Sequence, residues 1–241
     1  MPSPAPSHAI VIDQVWKFYG DYAAVRDFTL AVTEGSCCAL LGRNGAGKTT
    51  LLRILAGLSS FQRGAVHLLG EAPRSEKARL RAGFLGHGIG VYEDLTAREN
   101  LQFFARITGV TAADSAVDSL LDRVGLARAA TVPVRQFSRG MRQRLAVART
   151  FLHSPTVLLL DEPFTSLDDR AIVTLSDLLL EARQRGATII ISTHQLREAL
   201  AIASHVALIE NGSLRYSGER TEEMVHDPGL LYRLHMQLGA A

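Results

Sequence analysis

The sequence predicts an α/β fold built on a mostly parallel sheet covered by helices on both faces. Three observations predict it. Short, continuous apolar runs recur at Cys37 to Leu41, Phe84 to Leu85, Val157 to Leu160, Thr188 to Ile191 and Val206 to Ile209, as fully buried strands do. Helical patterns lie between these runs, the alternation expected of parallel strands joined by crossover helices. Two regions break the rhythm: alternating segments at 9–35 and 63–72, such as "AVHLLG", suit antiparallel strands at a sheet edge, and residues 90–153 carry about three successive helices with no strand between them.

In chain order, "MPSPAPSHA" has prolines and serines but neither a basic nor an apolar region, so residues 1–8 read as a short disordered leader. Residues 9–241 then form one domain, with a core over 9–89 and 154–241 and a helical subdomain inserted at 90–153. Thr96 followed by Glu99 is a capping box, and Gly109 suits the far end of that helix. Ser138 caps a helix in which Leu145, Ala148 and Leu152 repeat at helical spacing. Asp168 or Asp169 opens the next long helix, and Gly186 closes it.

Composition is that of an ordinary globular chain of 241 residues, 47% hydrophobic and 21% charged. A net charge of +2 is too small to argue for nucleic acid or an anionic membrane, and the eight histidines are scattered, without zinc spacing. Cys37 and Cys38 are adjacent on a strand and point to opposite faces, so they are read as buried core thiols rather than a disulfide. No apolar run approaches the roughly eighteen residues of a membrane span.

The strongest chemical signal is Gly42-Arg43-Asn44-Gly45-Ala46-Gly47-Lys48-Thr49, followed by Thr50. It matches the phosphate-binding P-loop and stands between a buried strand and a helix, the context that motif requires. Glycines let consecutive amides turn inward around phosphate oxygens, and the following helix adds its positive end. Lys48 would reach the β- and γ-phosphates, and the Thr49 hydroxyl would bind Mg²⁺. The chain therefore binds a nucleoside triphosphate. In "VLLLDEP", Asp161 ends a buried strand where a carboxylate can hold the Mg²⁺ shell, and Glu162 projects differently and can polarise an attacking water.

With these residues in place, "FSRGM", "SLDD" and "STHQ" follow in an order and spacing that closely resemble the ATP-binding subunit of an ABC transporter. The resemblance covers nearly the whole chain. It implies a P-loop NTPase fold of RecA-like type, with ATP and Mg²⁺ as ligands. It identifies Ser138 and Gly140 with the signature motif, Asp168 with the D-loop, His194 with the switch histidine, and Tyr19 with the aromatic that stacks on adenine. It further implies a head-to-tail homodimer in which Ser138 and Gly140 of one copy cap ATP held by the P-loop of its twin. A separate integral membrane permease would dock near 88–107, placing the chain at the cytoplasmic face of a membrane, with no nucleic-acid partner. Tyr19 as a core aromatic and His194 as a packed histidine are the plainer alternatives. The arginines at 139, 142, 144 and 149 read as a solvated helix face.

Two departures stand out. Arg139 replaces the family's first signature glycine, and Met141 replaces its terminal glutamine. His87 occupies the position of the family's Q-loop glutamine; nitrogen is a poor ligand for Mg²⁺, so His87 is expected to hold a metal-bound or attacking water instead. The stretch around "LTARENLQFFARI" is similar to the haem-exporter subunit of cytochrome c maturation, and also to exporters of drugs or polysaccharides. A soluble cassette ATPase of DNA repair or translation is the rival reading.

Overall fold

The computed structural model describes residues 7–86, 90–111 and 113–233. Two long strands, β1 (His8–Tyr19) and β2 (Tyr22–Thr33), pair antiparallel across Gly20 and Asp21. β3 (Cys37–Leu41) leads into α1 (Lys48–Leu55), and β4 (Arg63–Leu68) returns to pair antiparallel with β1. α2 (Glu76–Arg81) and β5 (Ala82–Leu85) precede the helical block of α3 (Ala97–Ile107), α4 (Ala113–Arg123) and α5 (Arg139–Phe151). β6 (Val157–Asp161), α6 (Asp169–Gln184), β7 (Thr188–Ser192), α7 (Leu196–Ile202), β8 (His205–Glu210), β9 (Ser213–Glu219) and α8 (Glu222–His226) complete the chain.

Among the described residues the strands form two sheets. The larger has the order β5-β6-β7-β3-β8-β9; its first five strands are parallel and β9 is antiparallel. The antiparallel strands expected at a sheet edge form a separate edge sheet, β2-β1-β4. Its apolar residues, among them Ile10, Ile12 and Phe28, share a core with Leu51 and Leu52 of α1 and with Leu40, Leu159 and Ile190 of the larger sheet. The opposite face of the larger sheet presents Leu41, Leu158, Leu160, Ile189 and Ile191 to α5, α6 and α7, and this second core continues into α3 and α4. Each such Leu or Ile contributes about 1.5–3 kcal/mol on burial. β3, β6 and β7 are buried at every residue, which is why they read as unbroken apolar runs.

The two cysteines serve one core each, Cys37 on the helical side and Cys38 on the edge-sheet side. Both are free thiols, and burial pushes each pKa up to about 12. They are packing groups, not nucleophiles.

The helical block is held by polar staples as well as by its core. The Thr96–Glu99 capping box forms at the start of α3, and Gly109 takes a positive φ of 70° just past its end. Asn100 is fully buried; its amide group accepts from Tyr92 N at 2.7 Å and donates to the carbonyls of Tyr92 and Thr96, each at 2.9 Å. The arginines of α5 are not simply a solvated face. Arg142 bonds Glu93 and the Arg135 carbonyl, Arg144 reaches the Val124 carbonyl, and Arg149 bonds the carbonyls of Phe84 and Gly90. They close loop backbone that the helices leave unpaired.

Between β8 and β9, Asn211 and Gly212 both have positive φ, 49° and 82°, the conformation of a two-residue hairpin turn. The turn tip ties two elements to the P-loop region: Arg26 N donates to the Gly212 carbonyl at 2.8 Å, and Gly212 N donates to the Ala46 carbonyl at 2.9 Å.

Candidate functional site

β3 is fully buried up to Leu41, and the chain then leaves the sheet as the loop Gly42 to Gly47 before α1 begins at Lys48. Gly47 occupies the N-cap at φ 110° and makes no side-chain cap, which leaves the first amides of α1 available to an anion. A Cβ on Gly47 would lie 2.5 Å from the Ala24 carbonyl, so both conformation and space require glycine there.

Lys48 is buried to 6% exposure, and its Nζ donates to the carbonyls of Gly42 at 2.7 Å and Arg43 at 3.1 Å. Burial lowers its pKa, and the carboxylates of Glu162 and Asp161 work in the opposite direction. The ammonium thus has both a place in the loop and acidic neighbours that favour its charged form.

An open cleft of about 530 Å³ lies over the loop, lined by Tyr19, Tyr22, Ala24, Asn44 to Thr50 and Glu162. Tyr19 is half exposed, and the Lys17 ammonium lies 4.7 Å from its ring centroid. Tyr19 is therefore a surface aromatic facing the cleft, not a core one. Its cross-strand neighbour Tyr22 also lines the cleft and places its hydroxyl 3.4 Å from the Gly45 carbonyl. Sequence reasoning missed Tyr22, although "YGDY" spaces two tyrosines across a tight turn and places them side by side on paired strands.

At the end of β6, Asp161 is buried to 2% exposure and accepts from Ser192 Oγ at 2.6 Å through Oδ1. Its Oδ2 is buried with no protein hydrogen-bond partner. A buried carboxylate oxygen without a donor suits a hydrated cation, so Asp161 and the exposed hydroxyl of Thr49 fit a Mg²⁺ site. Glu162 follows with a left-handed backbone at φ 51°, a strained conformation for a side chain of its size, and one that turns it away from Asp161. His194 meets it there: Nδ1 lies 2.8 Å from Glu162 Oε2, and the His194 amide donates to the same oxygen at 3.2 Å.

Ser138, Gly140 and Asp168 do not line the P-loop cleft. Ser138 is the exposed N-cap of α5, its Oγ accepting from Met141 N at 3.2 Å, which leaves its own proton free to donate outward. A Cβ on Gly140 would lie 3.0 Å from the Ser166 carbonyl, so the start of α5 packs tightly on the segment after β6 of its own chain. Asp168 caps α6, accepting from Ala171 N at 2.8 Å. Arg139 faces a small cleft shared with Asp161, Glu162 and Ser166 of the same chain. His87 lies outside the described residues.

A glycine loop on a helix N-terminus, a buried lysine within it and an acidic pair at the end of β6 in the same sheet define a P-loop nucleoside-triphosphate-binding protein. The ABC transporter family pattern matches residues 25–165, and the chain belongs to that family as an ATP-binding domain. It is 38% identical to the Nod factor export ATP-binding protein I of Cupriavidus pinatubonensis (strain JMP 134 / LMG 1197), over 88% of this chain and 66% of that protein. It is 36% identical to the daunorubicin resistance ATP-binding protein DrrA3 of Streptomyces coeruleorubidus, over 97% of this chain and 76% of that one. The solved structure of an ATP-binding subunit of an ABC transporter superposes with a TM-score of 0.85 at 29% identity, covering 96% of this chain and 99% of that one. Neither relative's name concerns haem, so the similarity to the haem exporter gains no support from them. Among the described residues no helix is long and apolar enough to cross a membrane.

Proposed function

We propose that this chain hydrolyses ATP as a head-to-tail homodimer and drives export through a separate membrane permease. The observation that carries the reading is the placement of Glu162, which lines the P-loop cleft and is held there by both the ring and the amide of His194.

Adenine stacks on Tyr19, and the phosphates take the amides of Gly42 to Thr50. Lys48 moves from the Gly42 and Arg43 carbonyls to the β- and γ-phosphates, exchanging neutral acceptors for charged ones. Mg²⁺, held by Thr49 and through water by Asp161, would neutralise phosphate charge. Glu162 orients and polarises the attacking water, with His194 fixing the carboxylate and reaching toward the γ-phosphate.

The twin supplies Ser138, Gly140 and the region of Asp168. In support, Ser138 is exposed at the N-terminus of α5 and lies outside the lining of its own chain's P-loop cleft. The domain runs over 9–241, with 90–153 as its helical part. The permease docks on that part near 88–107, where Tyr92, Phe103 and Ile107 are exposed large apolar side chains. This would hold the chain at the cytoplasmic face of the membrane. The relatives' names, one for Nod factor export and one for daunorubicin resistance, favour a drug-type cargo over haem. Purification from membranes tests the reading: a multi-span protein that co-purifies bears it out, and ribosomes or DNA in its place would overturn it.

A further inference from the structure

We propose that Lys17 is a positioning residue for the nucleotide base, acting through the ring of Tyr19. The inference rests on the adenine-stacking role given to Tyr19 above.

Residues two apart on a strand share a face, so the last side chains of β1 sort into two pairs. Trp16 and Phe18 stack on each other, with ring centroids 5.7 Å apart and planes 9° from parallel. Lys17 and Tyr19 form the other pair. The backbone between them is fixed by Gln62, whose Oε1 accepts from Phe18 N at 3.0 Å and whose Nε2 donates to the Phe18 carbonyl at 3.4 Å. Tyr19 itself is in register with Tyr22 of β2.

Lys17 is only 7% exposed, an uncommon burial for a lysine. Among the described residues its ammonium forms neither an ion pair nor a hydrogen bond; what it meets is the face of the Tyr19 ring, 4.7 Å from the centroid. The face of an aromatic ring is negative and attracts a cation, more strongly where water is scarce. Tyr19 lines the P-loop cleft and Lys17 does not. In this arrangement the ammonium backs one face of the ring and the base takes the other. A ring already held by the cation loses less freedom when the base stacks on it. The cation also draws π density toward itself, which lessens repulsion between the ring and an electron-rich purine. Both effects act through the base alone and leave the phosphates untouched.

Lys17→Met keeps the apolar stem and removes the charge. Calorimetry with ADP should show Kd weakened roughly two- to fivefold, as loss of one cation–π contact predicts. Kd for inorganic pyrophosphate, which has no base, should be unchanged. In turnover, KM for ATP should rise by more than kcat falls. Lys17→Arg returns a cation to the ring and should retain ADP affinity. In a Tyr19→Ala background, Lys17→Met should have no further effect on ADP. Equal weakening for ADP and pyrophosphate, an equal loss in Lys17→Arg, or a lowered melting temperature with unchanged ADP affinity would each overturn the role. Tyr19→Ala, measured alone, separates the two levels. If it leaves ADP affinity intact, the reading of Tyr19 itself fails; if it weakens ADP binding while Lys17→Met does not, only the role of Lys17 falls.

Discussion

The imidazole of His194 and the carboxylate of Glu162 meet at 2.8 Å, and the His194 amide binds the same carboxylate oxygen at 3.2 Å. Two groups of one residue thus fix one oxygen of Glu162 and leave the other for a water. Glu162→Gln keeps the shape and removes the base. Steady-state ATPase activity should fall about 10²–10⁴-fold, while ATP binding persists and a dimer accumulates on gel filtration. Unchanged turnover would leave Glu162 without its role.

His194→Ala removes the ring contact but keeps the amide bond to Glu162. Its loss of turnover should therefore be smaller than that of Glu162→Gln, with ATP affinity little altered. A loss equal to that of Glu162→Gln in the same ATPase assay would mean that the ring, not the backbone, sets the carboxylate.

A composite site makes a specific demand on mixtures. Lys48→Ala and Gly140→Asp each remove a different half, so each homodimer should be inactive. Mixed in equal amounts, half of the dimers pair one variant with the other and hold one intact site, restoring roughly a quarter of wild-type sites in a head-to-tail arrangement. No recovery of ATPase activity on mixing would exclude sharing between copies.

Asn100→Ala should destabilise the helical block by about 1–3 kcal/mol, because Tyr92 N and two carbonyls lose a buried partner. Urea unfolding measures this. Protection of residues 92–96 in hydrogen exchange should fall with it.

The His153 ring is partly buried, with Nε2 3.2 Å from the Ala82 carbonyl. Burial lowers its pKa below 6.5, Arg149 adds to the fall, and the bond to Ala82 opposes it. The unfolded chain therefore takes up this proton first as pH drops. Stability is full above the ordinary value and is lost as pH falls through it toward the depressed folded value. His153→Gln should flatten the acid side of the melting-temperature profile; an unaltered slope would show that His153 does not set it.

What could be read from the sequence follows from where water is excluded. β3, β6 and β7 are buried at every position, so their apolar runs stand out without neighbours, and the P-loop is legible because its glycines are demanded locally. β9 was not legible: "SLRYSGE" is an edge strand, nowhere fully buried, and only the Asn211–Gly212 turn before it carries a signal. The antiparallel strands were recognised, but their alternation could not say whether they extend the main sheet or form a second one. Ser192 on Asp161, the arginine staples of α5 and Tyr22 beside the P-loop all depend on parts of the chain brought together only by folding. Local pattern holds no record of those meetings.

The most direct measurement is a structure of the Glu162→Gln variant trapped with ATP. The account predicts a closed pair in which Ser138 Oγ and the Gly140 amide of one copy lie about 3 Å from the γ-phosphate held by the other. A closed pair with residues 137–141 turned away from that phosphate would contradict it.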